Sequence, residues 1–114
     1  MRHFISLLIA VALAVSLFSC SDPEDPPRFR IRNDRTAKVN VQIKTSGGNT
    51  ININDVQGGQ STGYQEAAAG RIDATATIQG ETVSPSTYFI AEVNSTYTVV
   101  VANTTPPTLT VVNP

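Results

Sequence analysis

The 114-residue chain contains one histidine, one cysteine and no tryptophan, and each shortage removes a class of chemistry. The histidine is His3, so nothing from Phe4 onward can supply an imidazole as general base, proton shuttle or metal ligand. Nucleophilic catalysis of the Cys–His or Ser–His type is thereby excluded for the rest of the chain. The one cysteine, Cys20, has no partner for an intrachain disulfide, and a zinc site has too few soft or imidazole ligands to form. Charged residues make up only 15%, eight basic against nine acidic, for a net charge of −1. A balance of that size recruits neither nucleic acid nor a strongly cationic partner. Beyond residue 20 no long apolar run and no 3.6-residue periodicity occurs, so no helix is predicted there.

The apolar residues that are present begin at the start. Arg2 and His3 precede "FISLLIAVALAVSLF" (4–18), with small residues just after it. A basic start, an apolar run and small residues at its end read as a secretory signal helix over 1–19. As a helix these fifteen residues, thirteen apolar and two serines, rise about 22 Å, short of the roughly 30 Å of a bilayer core. With imidazole, metal and intrachain-disulfide readings removed, and no pattern supporting an intermolecular disulfide, lipidation is the reading of Cys20 that the sequence favours. "LFSC" resembles the lipobox of bacterial lipoproteins. That resemblance implies cleavage before Cys20, a thioether to diacylglycerol, an acylated N-terminus, and a membrane partner reached through the lipid. Two or more acyl chains suffice for stable anchoring, whereas one does not. Loss of Arg2 with the signal leaves seven basic residues against nine acidic ones, a net charge of −2.

Residues 20–27, "CSDPEDPP", are predicted to be an extended tether. Pro23, Pro26 and Pro27 remove backbone donors and fix φ, giving a spacer of roughly 20 Å at about 3.1 Å per residue. Asp22, Glu24 and Asp25 resemble the short acidic export signals of Bacteroidetes-type surface lipoproteins, which implies an outer-membrane or cell-surface location in the bacterial envelope.

From residue 28 the period is two. "RFRIR" (28–32), "KVNVQIKT" (38–45), "TININ" (50–54), "RIDATATIQ" (71–79), "STYTVVVAN" (95–103) and "TLTVV" (108–112) alternate apolar and polar or are rich in β-branched residues. "STGYQEA" (61–67) is a weaker strand around Tyr64, and "TVSPSTYFIAEV" (82–93) is interrupted by Pro85, which marks an edge or a sheet-switching segment. Gly47–Gly48, Gly58–Gly59 and Gly80–Glu81 supply turns. Seven to eight short strands with turns about every ten residues predict an all-β fold. The expectation is a single antiparallel β-sandwich, immunoglobulin-like, over 28–114. "VNVQI", "GGQSTGYQEAAAGRI" and "STYTVVV" resemble a bacterial family of extracellular β-sandwiches of unknown function; the resemblance spans 28–112 and implies fold and location, with no activity attached.

Four sets of residues stand out. Arg28, Arg30 and Arg32 share one strand face at about 6.6 Å spacing, with Arg35 close by. They are candidates for an anionic ligand or lipid headgroups, or else the solvated face of an edge strand. Adjacent Tyr88 and Phe89 point to opposite faces, so one is core and the other a possible aromatic contact. "NIND" (52–55) gathers oxygen ligands but lacks the alternating carboxylates and closing Glu of a calcium loop, so turn chemistry accounts for it. No pair of carboxylates has a spacing that recommends hydrolytic work. The expectation is a non-enzymatic binding or structural lipoprotein with no cofactor or metal. An envelope protein engaged by strand pairing, through the Pro85 edge or "TLTVV", and a glycan are its candidate partners.

Overall fold

In the computed structural model residues 24–113 are described; the segment expected to be a signal and the expected lipidation site, Cys20, lie outside them. Eight strands follow one another: β1 (Arg28–Asn33), β2 (Val39–Thr45), β3 (Thr50–Val56), β4 (Gln65–Glu66), β5 (Gly70–Ile78), β6 (Ser86–Ala91), β7 (Thr96–Ala102) and β8 (Thr108–Val112). Among the described residues no helix is long and apolar enough to cross a membrane.

Two four-stranded sheets form, in the orders β4-β1-β7-β8 and β3-β2-β5-β6. The period-two patterns decide what lies between them. β2 alternates buried and exposed without exception, and Ile72, Ala74, Ala76 and Ile78 of β5 all face inward. With Phe29, Ile31, Val99, Val101 and Leu109 from the other sheet they make one continuous core. The small side chains of Ala74 and Ala76 permit close approach of the facing layer. Half-buried Phe89 meets Tyr97 with ring centroids 4.9 Å apart at 42°. The Tyr97 hydroxyl accepts the Glu92 N–H at 2.9 Å and donates to the Ile90 carbonyl at 3.5 Å. A tyrosine near the start of a strand tied to backbone just upstream is the tyrosine corner of immunoglobulin-type sandwiches.

The sandwich is the expected one, with differences in detail. One pair, β1 with β7, is parallel, in register from Arg28 opposite Thr96 to Asn33 opposite Val101. The first strand therefore leaves the second and joins the opposite sheet, unlike the A-B-E-D order of an immunoglobulin constant domain. β1 is not an edge: β7 flanks it on one side, and β4 plus an Arg32–Ser61 bridge flank it on the other. The weak strand expected around Tyr64 shrinks to Gln65–Glu66, and Tyr64 is exposed. β6 starts just after Pro85 and is an edge, as is β8. Of Gly47 and Gly48, it is Gly48 that takes the positive φ, 84°.

The tether reaches the domain earlier than the prolines indicate. Pro27 is fully buried. The Asp25 N–H donates to Asn94 Oδ1 at 2.9 Å, and the Asn94 N–H donates back to the Asp25 carbonyl at 2.8 Å. Asn94 adopts φ 60°, a conformation that asparagine tolerates better than most residues. The chain is thus fixed to the β6–β7 turn from Asp25 onward.

Candidate functional site

The four arginines do not act as one group. Arg28 lies 3.9 Å from Glu66, both side chains more than half exposed. Arg30 donates to Thr98 Oγ1 at 3.1 Å and sits 5.0 Å from the Tyr64 ring centroid. Arg32 pairs with Asp34 two residues on, at 2.9 Å. That hydrogen bond, aided by the carboxylate charge, raises the Arg32 pKa above its ordinary value. Arg35 is turned elsewhere. Its guanidinium donates to the carbonyls of Ala102 and Thr104, both at 3.0 Å, and to Glu81 at 3.0 Å. With only 11% of its side chain exposed, Arg35 clamps the β5–β6 and β7–β8 loops and is not part of an anion-binding face.

Beside it, Asn33 is wholly buried. Its Nδ2 donates to the carbonyls of Ala37 and Val56 at 2.7 and 3.0 Å, and its Oδ1 accepts the Arg35 N–H at 2.9 Å. The loops at this end of the sandwich are stitched together by two polar side chains. Gly58 completes the join, because a Cβ there would overlap the Thr36 carbonyl.

Tyr88 and Phe89 divide as their adjacency requires: Phe89 packs on the core and Tyr88 is 57% exposed. Arg71 lies 4.0 Å from the Tyr88 ring centroid and bonds Asp73 at 3.1 Å. In "NIND" the β2–β3 pairing slips by one residue, since Val41 faces Ile53 while Val39 faces Val56. Asp55 sits in this bulge at φ 60°, its N–H held by Asn40 Oδ1 at 2.8 Å and its carboxylate by Lys38 at 3.3 Å. Among the described residues no cluster of three or more His, Cys, Asp or Glu is placed to hold a metal ion.

Two cavities matter. The larger, about 560 Å³, opens between the free edges of β3 and β4 and is lined by Pro26, Thr45, Ile51, Glu66, Ala67 and Ala68 among others. Its one lining carboxylate, Glu66, lies beside Arg28. The smaller, about 220 Å³, is a shallow depression on the outer face of the β3-β2-β5-β6 sheet. It is lined by Asn40, Gln42, Asn52, Asn54, Thr75 and Thr77, with Val41 beneath. Register brings these side chains together: Asn52, Gln42 and Thr75 form one row across three strands, and Asn40 faces Thr77 in the next. Local sequence pattern does not reveal this depression. Each strand shows its outward polar positions, but only the pairing of β2 with both β3 and β5 makes them one surface.

No family model and no curated protein matches the chain. It is similar to an NMR structure of a protein from Eubacterium rectale, with a TM-score of 0.54 and 18% identity over 80% of this chain and 88% of that one. At that identity the likeness concerns the fold.

Proposed function

We propose that the chain is a lipid-anchored protein of the bacterial envelope, with Cys20 carrying the anchor and the β-sandwich serving as a non-catalytic binding domain. The carrying observation is the order of parts: an apolar run after a basic start, an "LFSC" that resembles a lipobox, and a domain that begins almost at once. Residues 21–24 alone separate Cys20 from the Asp25–Asn94 clamp. Five Cα steps reach at most about 18 Å, so an anchored domain stands close to the bilayer. The end bearing Asn94, Arg28 and the β2–β3 hairpin then faces the membrane, and the Asn33–Arg35 end faces away. The acidic residues near Cys20 support placement at the outer membrane or cell surface.

Replacing Cys20 by Ala tests this directly. Wild type should take up a labelled fatty acid and enter the detergent phase on Triton X-114 partition, and C20A should do neither. Equal labelling of the two would sink the anchor.

A second reading, strand pairing with an envelope partner, draws on β6. That edge has no charged residue between Ser86 and Ala91, and it exposes Tyr88 and Ile90. A lysine at Ile90 should abolish any co-purification that depends on this edge.

A further inference from the structure

We infer that the depression on the outer face of the β3-β2-β5-β6 sheet binds an uncharged saccharide chain. The inference rests on the reading of the sandwich as a binding domain and names its site and ligand class.

Lining chemistry selects the ligand. Three asparagines, one glutamine and two threonines surround the depression, no charged side chain does so, and Val41, the one apolar residue of the lining, turns its side chain into the core. Carboxamides and hydroxyls each both donate and accept hydrogen bonds, which is what sugar hydroxyls demand of a partner within a small area. The side chains of Gln42, Asn52, Asn54, Thr75 and Thr77 make no hydrogen bond among the described residues, so their capacity is open to a ligand. Asn40 is the exception and is oriented: its Oδ1 is held by the Asp55 N–H at 2.8 Å, which fixes Nδ2 as the donor left over.

Charge complementarity points the same way. Two of the three cations at the rim are answered locally, Lys38 by Asp55 at 3.3 Å and Arg71 by Asp73 at 3.1 Å; the third, Lys44, stands opposite Asp73 in register and forms no salt bridge among the described residues. A polyanion finds no uncompensated cluster to bind. An extended peptide has the free edge of β3 beside the lining but finds no apolar pockets for its alternate side chains on this face. An aromatic ring lies one row away, where Tyr88 faces Asp73 across β5 and β6; it is 57% exposed, with the Arg71 guanidinium 4.0 Å over one face. At about 220 Å³ the depression is smaller than the roughly 300–1,000 Å³ of pockets that engulf small molecules. That size fits one ring of a chain lying across the sheet.

The test is native affinity electrophoresis of the mature, detergent-solubilised chain. The gels contain xyloglucan, galactomannan, arabinoxylan, mixed-linkage β-glucan or dextran, with heparin, polygalacturonate and denatured casein as comparators. Retardation by at least one neutral polysaccharide is expected. It should weaken about tenfold or more in Q42A/N52A and fall measurably in T75V, a near-isosteric change that favours a strand and so guards against misfolding. C20A should bind as wild type does, so loss of the anchor and loss of the site are read separately. No retardation by any of the five, retardation by the polyanions or casein only, or equal retardation of wild type, Q42A/N52A and T75V would each overturn the inference.

Discussion

On the outer face of the β4-β1-β7-β8 sheet stand Arg28, Arg30 and Arg32, and each already has company: Glu66, the Thr98 hydroxyl with the Tyr64 ring, and Asp34. On the outer face of the β3-β2-β5-β6 sheet the polar groups are neutral, and most have no partner among the described residues. The charged face draws the eye in the sequence, yet Arg30 and Arg32 already spend donors within the domain and Arg28 stands beside Glu66. The uncharged face has hydrogen-bonding capacity to offer. Partnership within the fold, more than formal charge, decides which surface is available to a ligand.

The sharpest way to break this comparison is to show that the arginines behave alike. The structure divides them, and stability measurements should reveal the division. Asn33→Ala should cost the most, about 4 kcal/mol in urea denaturation, because it strands two carbonyls and one N–H at a buried position. Arg35→Ala should follow at about 3 kcal/mol, since three charge-assisted bonds at a mostly buried guanidinium are lost. Arg35→Lys should recover less than half of that, as one ammonium cannot span two carbonyls and a carboxylate as the planar fork does. Arg32→Gln should change stability by no more than about 0.5 kcal/mol, its pair with Asp34 being exposed. Thr75→Val, on the neutral face, should also fall within about 0.5 kcal/mol, which makes it a clean probe of binding. A loss of 2 kcal/mol or more at Arg32, or none at Arg35, would erase the distinction between partnered surface charge and structural clamp.

Much of the fold could be read from alternation alone. β5 is the strand its pattern announces, with all four apolar positions inward, and β8 occupies the five residues of "TLTVV". Pro85 marks the boundary of an edge strand because it cannot donate to a ladder. What escaped is what local pattern does not carry. Nothing in "RFRIR" says that it runs parallel to a strand 68 residues later, in the opposite sheet from β2. Arg35 looks like a fourth member of a basic cluster until its carbonyl partners, 67 and 69 residues away, are known. The amide depression is hidden for the same reason. Its residues come from three strands whose order in the sheet is not their order in the chain.

The two faces can be set against each other in one measurement. On a gel containing the neutral polysaccharide that retards wild type most, R28Q/R30Q/R32Q and Q42A/N52A are run side by side. The account predicts unchanged retardation for the arginine triple variant and a loss of about tenfold or more in affinity for the amide double variant. Retardation lost with the arginines and kept without the amides would contradict it.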